Sequence, residues 1–141
     1  MPDVILPPEL RSGVPAMDEL HALFLSSLNA LSDVPDSEFE SRYADFLRQT
    51  EQAFAIEEDW MEERDLPFLQ SHREQHARVL GALHHVYARI MDGDLCIGRD
   101  VIKRLLPRWF ELHASTMDAV LALSMLSMKA PTPTAYAAEA S

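Results

Sequence analysis

Six side chains in this chain can donate to a metal: His21, Glu57, His72, His76, His113 and Asp118. His72-x3-His76 places two imidazoles on one helical face, so both can reach one ion. His113 offers a third nitrogen from another segment. Glu57 and Asp118 can each bridge two ions through their paired oxygens, and His21 can hold the second. His113 and Asp118 lie five residues apart, about 140° around an ideal helix. A π-bulge between them would bring the pair onto one face, and such bulges favour functional sites. Nitrogen and carboxylate donors drawn from four helices are what a non-haem di-iron site needs, and the mixture suits iron better than zinc or manganese. The position four residues before Glu57, where one more histidine would be sought, is Ala53.

Each donor has a plainer reading. Glu57 could be a solvated charge beside Glu58 and Asp59, and a lone histidine is more often a satisfied core or surface residue than a ligand. His84 and His85 fall two to three turns beyond His76 and read as structural or exposed.

The elements that must carry these residues follow from apolar periodicity. Residues 1–14, with Pro2, Pro7, Pro8 and Gly13, read as an extended lead-in. Leu20, Leu23, Phe24, Leu28 and Leu31 mark a helix from Pro15 to Leu31, stopped before Pro35. A second helix starts near Asp36 or Ser37, with an N-cap residue and acids in its first turn, and runs to about Arg64. A third is expected from Pro67, at the first helical position, to Met91, closed by Asp92-Gly93-Asp94. The fourth begins near Gly98 or Arg99. Its face includes Val101, Leu105, Trp109, Leu112, His113, Met117 and Leu121, and Pro107 should kink or break it. The bundle occupies residues 15–128, and the Pro- and Ala-rich tail, 129–141, is expected to be poorly ordered.

Four long helices with short connections give an all-α, up-down-up-down antiparallel bundle. That topology puts the start of the first helix, the end of the second, the start of the third and the later part of the fourth at one height. All six donors fall there, which scattered histidines would not do.

Composition narrows the function classes. A chain of 141 residues, 48% hydrophobic, suggests one folded domain. Its formal net charge of −11 argues against nucleic acid, whose binding rests on Lys and Arg, and against an anionic membrane surface. Cys96 is the single cysteine and reads as a buried small hydrophobe rather than a reactive thiol. With no secretory signal and no stretch of roughly 20 apolar residues, a cytoplasmic protein is expected.

The motifs resemble those of the hemerythrin family, bacterial type. Gly13-Val14-Pro15-Ala16-Met17-Asp18-Glu19-Leu20-His21 is similar to its entry motif, followed by Leu23-Phe24 and Leu28-Asn29-Ala30-Leu31. Phe54-Ala55-Ile56-Glu57-Glu58 with Met61 resembles the second-helix motif, His72-Arg73-Glu74-Gln75-His76 the third, and Trp109-Phe110-Glu111-Leu112-His113 with Asp118 the fourth. The resemblance covers roughly residues 12–125. It implies two irons joined by an oxo or hydroxo bridge and reversible binding of dioxygen. It implies that His72, His76 and His113 hold one iron, that Glu57 and Asp118 bridge, and that His21 holds the oxygen-binding iron. The histidine that would accompany His21 corresponds to Ala53, which leaves the second iron one ligand short, or leaves only one iron fully held. The expected ligand is dioxygen or a related small diatomic or peroxide, bound or sensed, with a separate redox or signalling partner. The alternatives are a di-iron peroxidase or nitric-oxide-reducing enzyme, and a metal-poor structural or partner-binding bundle.

Overall fold

The computed structural model describes the backbone of residues 6–129 and side chains through residue 127. Apart from Lys129, the tail expected from residue 129 lies outside the described residues.

Four helical rods, with no strand among the described residues, form an antiparallel four-helix bundle. The first three are α1 (Pro15–Ser32), α2 (Asp36–Glu63) and α3 (Leu69–Met91). The fourth is continuous but composite: α4 (Leu95–Asp100), a π-helical segment (Val101–Leu105), α5 (Leu106–His113), a second π-helical segment (Ala114–Asp118) and α6 (Ala119–Lys129). Connections of a few residues force neighbouring rods to run antiparallel. Among the described residues, no helix is long and apolar enough to cross a membrane.

Several boundaries differ from expectation, each for a local reason. Asp36 is the first helical residue rather than the cap. Pro35 takes the cap position, and the Asp36 carboxylate instead pairs with Arg99 at 2.7 Å. Pro67 stays in the turn, because Asp65 adopts a left-handed φ of 52° and the chain needs Pro67 and Phe68 to come round before α3 begins at Leu69. The fourth rod starts at Leu95, earlier than Gly98. Gly93, at φ 98°, turns the chain, and the Asp94 carboxylate accepts from the Ile97 N–H. Cys96 is exposed rather than buried, on the outer side of that first turn.

Pro107 does not break the rod. It lies at the start of α5, directly after the first π-helical segment, where Leu106 N–H reaches back to the Val101 carbonyl. The wider turn absorbs the missing proline N–H. One line of the buried face runs Ile102, Leu106, Phe110, Ala114, Asp118 and Ala122, with His113 and Leu121 also buried beside it, while Leu105 and Leu112 are exposed. A repeat of four drifts by roughly 40° per step on an ideal α-helix. The two π-helical segments take up that drift and keep one face inward.

The core has two parts. A large cluster, including Phe24, Leu28, Phe39, Tyr43, Phe46, Leu83 and Ile102, fills the end at which α4 begins. A smaller one of Val14, Met17, Met61, Leu121, Ala122 and Met125 closes the other end. The lead-in packs onto the bundle through Leu6, Leu10 and Val14, and Asp18 anchors it by accepting from the Ser12 N–H and hydroxyl, both at 2.8 Å. His84 and His85 are exposed, and His84 meets Glu51 at 2.7 Å.

Candidate metal centre

The layer between the two apolar clusters is polar and buried. His21, Glu57, His72, His76, His113 and Asp118 converge there, each no more than 3% exposed. They arrive from all four rods: His21 from early α1, Glu57 from late α2, His72 and His76 from early α3, His113 from the end of α5. Asp118 is the last residue of the second π-helical segment. That segment is the local distortion the five-residue spacing called for, and it turns Asp118 inward beside His113, with Nε2 3.3 Å from Oδ1.

The two carboxylates divide their oxygens. Glu57 Oε1 lies 3.1 Å from His76 Nε2 and 3.6 Å from His72 Nε2, and Asp118 Oδ1 lies 3.1 Å from His72 Nε2. Glu57 Oε2 and Asp118 Oδ2 face the other way, 3.2 and 3.0 Å from His21 Nε2. Nε2 of His113 is 3.2 Å from Nε2 of both His72 and His76. The donors thus form two groups that share Glu57: one with His72, His76 and His113, the other with His21 and Asp118. An octahedron of donors about 2.1 Å from its centre has edges of about 3.0 Å, close to most of these separations.

Hydrogen bonding among the protein's own groups leaves this layer unsatisfied. His21 Nδ1, His72 Nδ1, Glu57 Oε1 and both Asp118 oxygens are buried without an aligned partner. Five such atoms in one place would cost far more than a folded core tolerates. A bound cation would satisfy the three carboxylate oxygens, so the residues present fit a metal.

Orientation of the three-histidine half comes from outside it. Glu58 accepts from His76 Nδ1 at 2.9 Å, and Gln75 accepts from His113 Nδ1. Each bond fixes the tautomer that aims Nε2 inward. Phe54 stacks on His76 at 3.9 Å between centroids and Trp109 on His113 at 4.5 Å. Sequence reasoning missed Glu58 and Gln75 as partners. Both read as surface residues, and only their positions beside Glu57 and His76 hinted otherwise.

Protonation follows the same geometry. Burial opposes charge on His21 and His72, but Asp118 and Glu57 beside them outweigh it and raise both imidazoles to about 9. His113 is raised for the same reasons. Burial works against ionisation of Glu57 and Asp118 too, yet the surrounding histidines hold both below the usual carboxylate range.

On the His21 side the layer opens. A small void of about 10 Å³ lies among His21, Glu57, Asp118 and His113, with Ala53, Leu20, Phe24, Phe54 and Phe110 as its apolar walls. Beyond Ala53 a cleft of about 350 Å³ separates α1 from α2.

No family model matches the chain, and no solved structure matches it. Curated relatives do. A bacteriohemerythrin of Ralstonia nicotianae is 38% identical over 121 residues, covering 86% of this chain and 88% of the relative. Bacteriohemerythrins of Pseudomonas paraeruginosa and Pseudomonas aeruginosa are each 26% identical over 115 residues, covering 79% of this chain and 74% of theirs. At 38% identity along nearly the whole of both chains, the Ralstonia relative shows the family: the chain belongs to the hemerythrin family.

Proposed function

We propose that this protein is a non-haem iron protein of hemerythrin type that binds or senses dioxygen or a related small ligand at a two-iron centre. The observation that carries the reading is the division of carboxylate oxygens, with Oε1 and Oδ1 turned to His72, His76 and His113 and Oε2 and Oδ2 turned to His21. His72, His76 and His113 would hold one iron, His21 the other, and Glu57 and Asp118 would bridge. The bound irons would supply an electron-rich site for a diatomic or peroxide ligand.

The protein's own contribution is position and dryness. Glu58 and Gln75 hold two imidazoles in register, and Phe54, Trp109 and Phe110 keep water from the layer. The His21 shell would be one ligand short. Ala53 borders it with a methyl group, and the other residues around the void bring no donor beyond His21, Glu57, Asp118 and His113. The absence of a stand-in side chain favours exchangeable positions on that iron. It also supports a second reading, a peroxidase or nitric-oxide-reducing enzyme working at the more open iron.

Metal analysis tests the centre: less than one iron per chain overturns both readings and leaves a metal-poor bundle. An oxygenated absorption band that reverses under vacuum marks binding, whereas repeated turnover of peroxide with an added reductant marks the enzyme. Ala53→His should raise the affinity for the second metal and slow oxidation of the reduced centre. Unchanged values in both would mean the His21 half is not built as inferred.

A further inference from the structure

Two features of the His21 half belong together. It offers three protein donors where the opposite half offers more, and it is the half that faces a cleft. Leu20, Phe24 and Ala53 line both the inner void and the outer cleft, so the two spaces share a wall. In the three-histidine half, Phe54 and Trp109 lie flat against the imidazoles of His76 and His113 and cover them.

We propose that the cleft between α1 and α2 at Ala53 binds a small exogenous molecule: neutral, largely apolar, and bearing one nitrogen or oxygen donor directed toward the His21 half. The inference rests on the metal reading above and goes beyond it by naming a site and a ligand class. About 350 Å³ falls within the roughly 300–1,000 Å³ of small-molecule pockets. The walls are Leu20, Leu23, Phe24, Phe46, Ala53 and Ile56, which suit an apolar body. Among the described residues no ionisable side chain lines the cleft, so none of them would neutralise a charged ligand there. Its polar groups are partly committed: the Thr50 hydroxyl donates to the Phe46 carbonyl at 2.9 Å, and Ser27 donates to Gln49 at 2.9 Å. Leu23, 61% exposed, and Ile56, 41% exposed, stand at the mouth as apolar surface that a ligand body would cover.

The test uses full-length iron-loaded protein of measured metal content, titrated with imidazole and with 4-phenylimidazole. Binding is followed by calorimetry, and contact with the centre by its visible absorption. The expected result is one site per chain, perturbed absorption bands with both probes, and 4-phenylimidazole bound about tenfold more tightly because its phenyl ring leaves water. Ile56→Trp, which fills the mouth and touches no donor, should remove at least about half of that advantage on a logarithmic scale while leaving metal content and imidazole affinity in place. Leu23→Trp serves the same purpose should Ile56→Trp not fold. Metal-loaded protein that does not distinguish the two probes, or whose preference survives both substitutions, overturns the cleft site and leaves the metal centre standing. Protein that holds no metal overturns both.

Discussion

Glu58 and Gln75 illustrate how much of a metal centre lies one residue outside it. Removing the Glu58 carboxylate would free His76 Nδ1 and let the imidazole turn, although no donor is lost. Glu58→Ala should therefore weaken metal binding by about 10–100-fold, measured by chelator competition, with helix content unchanged. Protonation gives a second prediction. His21 and His72, raised from 6.5 to about 9, stabilise the metal-free fold fully below 6.5, and that contribution is lost as pH rises toward 9. Glu57 and Asp118, lowered from 4.5 and 3.8, contribute above those values and cease to as pH falls. Chelated protein should thus have its highest Tm between about 4.5 and 6.5 and lose stability toward pH 9. Metal must displace the same imidazole protons, so its uptake should release protons at pH 7 and strengthen up to about pH 9. A metal-free Tm that climbs steadily from pH 6.5 to 9 would contradict this account. The convergence of the six side chains was legible because their types and heights agree. Their hydrogen-bonding partners were not, because Glu and Gln beside a ligand look like any solvated pair.

Among the elements, the composite fourth rod does most to shape the centre. The interval between His113 and Asp118 announced the second π-helical segment, since no α-helix places both inward. The first left no such mark, and Pro107 read as a kink or break because its missing N–H was counted against a regular helix. Two positions of the apolar face were misplaced for the same reason: Leu105 and Leu112 fit a 3.6-residue pattern that the widened turns shift, whereas His113 and Leu121 are buried as expected. Inserting one alanine after Ser115 should lengthen the interval beyond what the π-helical segment absorbs and swing Asp118 by about 100° away from His113. One metal should then remain at His72, His76 and His113 and the other be lost, read as a fall in stoichiometry with helix content retained. At the far end, a Cβ on Gly98 would meet Ile90 Cδ1 and Phe39 Cε2, both at 2.7 Å. The Phe39 ring also carries the Arg99 guanidinium, 4.4 Å from its centroid. Gly98→Ala should therefore destabilise by roughly 1–3 kcal/mol, measured by denaturant unfolding, without altering metal content.

Across the whole molecule, a polar layer interrupts the core, with apolar clusters on either side. The clusters hold the rods together, and Arg99 ties the start of the fourth rod to the α1–α2 turn through the Ser32 and Val34 carbonyls and Asp36. The layer itself would gain stability from a bound cation. Free metal at a thousand times its dissociation constant would add about 4 kcal/mol. Chelation should lower Tm by roughly 10 °C or more, and hydrogen exchange should accelerate around residues 114–118 before the Phe39–Tyr43 region. A Tm indifferent to chelator would mean that the layer tolerates its buried carboxylates unaided.

The unequal support of the imidazoles carries a kinetic consequence. His76 and His113 are braced through Nδ1, whereas Nδ1 of His21 has no partner among the described residues. With two of its three imidazoles braced and only His72 Nδ1 unpartnered, that half would be a socket ready for its ion, whereas the other would be assembled by the ion that enters it. Filling should therefore be ordered, with the histidine triad occupied first and the His21 position last. Emptying should run in reverse, so a chelator would remove one equivalent quickly and the next slowly. Such a protein would pass through a long-lived half-loaded form each time it gained or surrendered its metal.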